Sequence, residues 1–325
     1  MADRPLDIYL YRMIVIDDER ALNFMGRPVE SDDDIIAILR QSVEAELDVT
    51  VDGPVNQYKY SVREFAEYEA PGLTDSPIIG ITLARSVLQQ QGPIVTEDNI
   101  VTGTSTPDPP IATTTQILFF MERHIAAVAY NSSLMDSQMW RASLHDIFDG
   151  SAHTLDFRSN VRIEPIPQDS EVLETFRSFT LLTRLRVYLK LPNPELSRFT
   201  RNLYNEMQEG GIRQFLQDMK NRDGLSQQQG KLPYAAAAMA DAGYKQGEVT
   251  MEGVRNGREE KVTTGQSAAR IQIGMEGVRD FARGLGTLAR TQEGRTIVSS
   301  ILTEINRVIE PPPENEAVEP PQDGT

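Results

Sequence analysis

Thr183-Arg184-Leu185-Arg186-Val187-Tyr188-Leu189-Lys190-Leu191 alternates without a slip. A strand of period two sends Leu185, Val187, Leu189 and Leu191 to one face and Arg184, Arg186, Tyr188 and Lys190 to the other. The stretch therefore reads as one strand of a sheet with a buried face and an open, basic, tyrosine-bearing face. Leu155-Asp156-Phe157-Arg158-Ser159-Asn160-Val161-Arg162-Ile163 repeats the pattern, with Arg158, Asn160 and Arg162 on its polar side. If the two strands pair, Arg158, Arg162, Arg184, Arg186, Tyr188 and Lys190 share one surface. Arginine and tyrosine suit nucleic acid through phosphate pairing and base stacking; the competing reading is a solvated sheet face whose arginines pair with nearby acids.

Outward from this region the chain mixes strands and helices with no regular strand-helix-strand alternation. The expected fold is α+β, a mainly antiparallel sheet with helices packed on one face. Leu6 to Ile16 is apolar almost throughout and reads as a central strand. Asp32-Asp33-Asp34 opens a helix carrying Ile35, Ile36, Ile38, Leu39 and Val43, the acids suiting the positive end of its dipole. Asn56 to Glu69 and Pro77 to Ile100 read as strands, and Thr102 to Pro110 as a loop. The run from Gln116 to Tyr130 reads as a hairpin turning near Glu122 to His124. Ser137 opens a helix with Trp140, Leu144, Ile147 and Phe148 on one face, stopped by Asp149-Gly150.

Further along, Asp169 caps a short helix ending near Phe176. Asn193-Pro194 opens a helix through Leu196, Phe199, Leu203 and Met207, and Ile212, Phe215, Leu216 and Met219 resume its spacing. Tyr234 to Ala242 favours a helix. Asn256-Gly257 between extended runs predicts a tight hairpin, because both central residues must take positive φ. A last helix covers Gly294 to Ile309, and Pro311-Pro312-Pro313 ends it. The expected organisation is an acidic half over 1–150, a half with basic-faced strands over 151–310, and a disordered acidic, proline-rich tail over 311–325.

The net charge of −16 is unevenly spread. Residues 1–120 hold 8 Lys+Arg against 20 Asp+Glu, or −12, whereas residues 177–222 hold 9 against 4, or +5. A locally basic surface on an acidic protein can still hold nucleic acid, with strong salt dependence. The chain has no cysteine, which excludes disulfides and thiolate chemistry and fits a cytoplasmic setting. No apolar run approaches the roughly 20 residues of a membrane span, and the start lacks the layout of a signal peptide.

Catalytic patterns are sparse. The histidines His124, His145 and His153 lack zinc-site spacing, and neither a Gly-x-Ser-x-Gly elbow nor a phosphate-binding glycine loop is present. The best enzymatic candidate is Glu259-Glu260-Lys261 on the second arm of the Asn256-Gly257 hairpin, with Glu248 or Glu252 on the first arm; Asp17-Asp18-Glu19 is a second carboxylate cluster, equally well read as a turn. Carboxylates with a nearby lysine are how some nucleases hold a divalent ion and activate water. Alternating charge is equally normal on an exposed hairpin, so no catalytic residue, metal or cofactor is assigned.

Phe119-Phe120 with His124, Leu182-Thr183-Arg184-Leu185 leading into Leu191-Pro192-Asn193-Pro194, and Ala242-Gly243-Tyr244 followed by Gly247-Glu248-Val249 and Gly253 carry a resemblance. Over Phe119 to Arg270 the chain resembles an uncharacterised bacterial family, a domain of unknown function linked to mobile elements or phage defence. The resemblance implies a prokaryotic accessory protein. The expected function is a non-enzymatic component of such a system that binds nucleic acid or a partner protein. The alternatives are a metal-dependent nuclease or toxin using the Glu-x-Lys hairpin, and a structural subunit whose acidic parts recruit a basic partner. The oligomeric state is not readable.

Overall fold

The apolar run at the start of the chain forms β1, Leu6–Asp17, and it lies inside the larger of two sheets. A computed structural model describes residues 6–17, 26–53, 55–129, 137–167, 171–190, 214–245, 248–265, 268–273 and 292–309. All strand pairs named below are antiparallel. β1 continues through β7 (Ile125–Ala129), β6 (Ala112–Phe120), β4 (Ile78–Val95) and β3 (Asn56–Tyr68) to β2 (Val49–Asp52). On its other side β1 takes β8 (Ser159–Pro165) along residues 11–17 and β13 (Arg270–Ile273) along residues 6–9. β5 (Ile100–Ser105) pairs with the far end of β4. With strand pairs and helices mixed in this way, the fold is α+β.

Helix α1, Asp32–Gln41, starts at Ser31 with a reciprocal cap: the Asp34 backbone N–H donates to the Ser31 hydroxyl, and the Ser31 backbone N–H donates to the Asp34 carboxylate. The Asp34 carboxylate is buried, yet Arg27 and the Glu30 and Ser31 donors hold it below the usual range. Helix α2, Ser137–Thr154, runs past the stop expected at Asp149-Gly150. Asp149 is held by Arg162 of β8, and Gly150 packs where a Cβ would lie 2.9 Å from Leu47, so tertiary contacts override the local signal. Both helices cover one face of the large sheet through Trp140, Leu144, Ile147, Phe148, Ile35 and Leu39, with Tyr11 edge-on to Trp140 at 5.5 Å. α5, Gln292–Ile309, covers the opposite face with Ile297, Val298, Ile301 and Ile305.

The second sheet has four strands in the order β10 (Gln214–Lys220), β9 (Leu181–Lys190), β11 (Val249–Arg255), β12 (Arg258–Thr264). Its elements fall between β8 and β13, so the small unit is an insertion between two strands that both pair with β1, and the sheets do not divide at residue 150. β10 occupies the stretch where Phe215, Leu216 and Met219 suggest a helix; it pairs with β9 along all seven of its residues. The rest of that expected helix, and the 311–325 tail, lie outside the described residues. The hairpin between β11 and β12 turns at Asn256 and Gly257, with φ of 51° and 75°.

Helices α3 (Glu171–Ser178) and α4 (Leu232–Asp241) pack on one face of this sheet. Phe176 meets Tyr234 edge-on, above Leu185, Val187, Leu189, Val249 and Met251. Asp241 of α4 accepts the N–H groups of Val172 and Leu173, so the end of one helix caps the start of the other. The opposite face carries no described helix. Burial alternates along β9 as the sequence suggests, and Arg184, Arg186 and Tyr188 lie on that open side.

Candidate functional site

β9 is central in its sheet, so its polar row is flanked on both sides. The register sets Arg184 between Lys220 and Glu252, Arg186 between Asp218 and Thr250, and Tyr188 beside Leu216. Gly253 makes this alignment possible. β11 shifts register between Glu252 and Gly253, and a Cβ at Gly253 would lie 2.1 Å from the Leu181 carbonyl oxygen. Only glycine permits that approach, and the resulting bulge aims Glu252 at Arg184.

Arg184 is clamped. Its Nε and Nη2 donate to the two Asp218 oxygens at 2.8 Å each, and Nη1 donates to Glu252 Oε1 at 3.1 Å. Lys261 of β12 reaches the same Glu252 oxygen at 3.4 Å, and Lys220 reaches Asp218 at 3.4 Å. The hydrogen bonds from Arg184 hold the Asp218 carboxyl down at about 2, and those carboxylates hold the Arg184 guanidinium above its ordinary value. Arg186 differs: it is exposed and has no carboxylate partner among the described residues, and the same is true of Arg222 just beyond β10. Leu216, across from Tyr188, is 51% exposed.

At the end of the face near the β11–β12 hairpin lies an open depression of about 700 Å³. It is lined by Leu181, Thr183, Gly253 and Val254 together with the charged residues Arg222, Glu252, Glu259, Glu260 and Lys261. This volume suits a group of nucleotide size. Of the Glu-x-Lys hairpin residues, Glu252 is engaged by both Arg184 and Lys261, and Glu260 lies 3.9 Å from Arg255. The Lys261 nitrogen is therefore directed at a carboxylate. Among the described residues no group of three or more His, Asp or Glu is placed to hold a metal ion.

Arg158 and Arg162 do not join this surface. They would share it only if their strand paired with β9, but β8 pairs with β1 in the other sheet, and both long sides of β9 are taken by β10 and β11. Val161 and Ile163 bury in the large core, which a place beside β9 would deny them. Arg162 turns toward α2 and grips both oxygens of Asp149, while the Arg158 backbone N–H donates to Arg27. The backbone of Lys190 continues the β9 row; its side chain lies outside the described residues. The site thus keeps Arg184, Arg186 and Tyr188 and gains Asp218, Leu216, Lys220, Arg222 and Glu252. Asp218, Leu216 and Lys220 were hidden because their segment reads as a helix.

Two of the three histidines have structural partners. His145 is buried and its Nε2 accepts the Ile163 N–H at 3.0 Å; burial pushes its pKa well below normal, so it is a neutral acceptor. His124 closes the β6–β7 turn at φ 49° and meets Asp32 at 2.9 Å.

Residues 99–276 match the profile of a protein family described as a domain of unknown function (DUF4747). A search of curated proteins finds no match.

Proposed function

We propose that this chain, which belongs to the DUF4747 family of unknown function, is a binding protein that holds single-stranded nucleic acid on the open face of its small sheet. The observation that carries this reading is the adjacency of Arg186, Tyr188 and Leu216: an exposed guanidinium that makes no ion pair with a described carboxylate, the Asp218 across from it being engaged by Arg184, beside an aromatic and an aliphatic surface. Arg186 supplies a phosphate contact, and Tyr188 with Leu216 supplies a platform for a base. The Asp218–Arg184–Glu252–Lys261 network ties the row to the strands on either side. The nucleotide-sized depression lies along the same face and takes the next unit of the strand.

The setting we propose, a phage-defence or mobile-element system in the cytoplasm, rests on the family resemblance and the cysteine-free composition. No described helix is long and apolar enough to cross a membrane. The test is fluorescence anisotropy with labelled single-stranded DNA and RNA. Binding should weaken steeply as salt rises and should be largely lost in Arg186→Glu, with thermal unfolding unchanged. Salt-insensitive binding, or none at low salt, overturns the reading.

A further inference from the structure

The pairing of β4 with β6 ends at Ser86 opposite Ala112, and its pairing with β3 ends at Gln90 opposite Asn56, with one last backbone bond from the Gln91 N–H to the Val55 carbonyl. From Gly92 to Val95 its only strand partner among the described residues is β5, and the two strands form a ribbon projecting past the sheet. Val95 is 78% exposed and Ile100, its partner across the ribbon, 72%; Val101 and, after β5, Ile111 are exposed as well. A two-stranded ribbon without a third strand or a packed face is marginal in water. Among the described residues the outer edge of β5 is unpaired, and β5 lacks the lysines, bulges or prolines that usually blunt such edges. Ile100-Val101-Thr102-Gly103-Thr104-Ser105 contains no charge at all.

We propose that this ribbon is a dimerisation arm, in which β5 pairs edge to edge with β5 of a second copy, antiparallel about a two-fold axis near Thr102. An isologous contact closes on itself and leaves no edge over. Charge selects this place and this occupant. Residues 1–120 carry −12, so two copies repel over most of that half, yet the only charges between Ser86 and Met121 are Glu97 and Asp98 in the turn and Asp108 in the following loop. An arm carrying acids alone is also repelled by nucleic acid and by anionic lipid, whereas an uncharged strand edge accepts its own copy. The contact is short, so the dimer is weak and reversible.

Sedimentation velocity of the full chain over a roughly hundredfold concentration range tests this. The expected result is a monomer–dimer equilibrium that strengthens with salt, opposite in sign to nucleic-acid binding. Thr102→Lys and Thr102→Glu, each alone, set like charges face to face across the axis and should be monomeric with unchanged thermal unfolding. Their equimolar mixture should associate again. A monomer at every concentration, or variants that each dimerise like the parent chain, overturns the proposal; nucleic-acid binding is scored separately on the monomeric variants.

Discussion

The guanidinium of Arg12 lies 4.5 Å above the centre of the Tyr244 ring. Arg12 belongs to β1 of the large sheet and Tyr244 to the segment between α4 and β11 of the inserted unit. Arg12 also donates from Nε to the Ala242 carbonyl at 3.1 Å and from Nη1 to the Arg123 carbonyl at 3.0 Å. It is 4% exposed, so these contacts replace water around a buried charge. Between them sits Gly243 at φ 85°, where a Cβ would lie 3.0 Å from the Arg12 Cβ and 3.1 Å from Ile166. The two sheets are joined here by a cation, a ring and a glycine.

Gly243→Ala should therefore destabilise the chain by about 2 kcal/mol, combining a strained positive φ with a crowded Cβ. Urea denaturation at neutral pH measures it. An unchanged midpoint would show that the seam relaxes freely.

Lys245 lies two residues on and is 1% exposed. Burial lowers its pKa from 10.5 to about 8, against an opposing pull from Glu164. Below pH 8 the lysine is charged in both folded and unfolded chains, and the fold bears the full cost of burying it. Between pH 8 and 10.5 the folded chain sheds the proton first, so this group's cost is relieved and its contribution to stability rises, by at most about 3 kcal/mol at 1.36 kcal/mol per unit. Lys245→Met should remove that rise from a plot of unfolding free energy against pH.

Asp218→Asn should leave the unfolding midpoint nearly unchanged, because solvent-screened ion pairs contribute little. It should raise the affinity for single-stranded nucleic acid, since it removes a negative charge beside Arg186 and releases Arg184 from one partner. Anisotropy titration reads the change; weaker binding would mean that the clamp's rigidity matters more than its charge.

Gly253→Ala places a methyl group against the Leu181 carbonyl, and the strand must move to admit it. A loss of roughly 1–3 kcal/mol is expected. Because the bulge also aims Glu252, the depression should change shape with it, visible as altered amide shifts for Thr183 and Lys261 in NMR spectra.

Much of the fold was legible where the signal is local. The Asn256-Gly257 turn, the reversal at His124 and the alternation of β9 each depend on a few neighbouring residues, and each appears in place. β10 was not legible, because Leu216 and Met219 fit a helical spacing; in the strand Leu216 is exposed and Gln217 is 4% exposed, the reverse of what their side chains suggest. The partner of β8 was hidden for another reason. Alternation states which face of a strand is apolar and nothing about its neighbour, so Arg158 and Arg162 were placed beside the wrong strand.

β1 takes partners from residues 125–129, 159–165 and 270–273. During synthesis the strand leaves the ribosome before each of these partners, and more than two hundred and fifty residues follow it before the last partner is made. Until then its backbone groups along residues 6–9 stay open on that side, an adhesive edge in an unfinished molecule. The inserted unit, whose strands all come from one continuous stretch, can close before the sheet that surrounds it. Order of assembly thus runs from the inside of the sequence outward, and the nascent chain is most vulnerable to self-association just before β13 arrives.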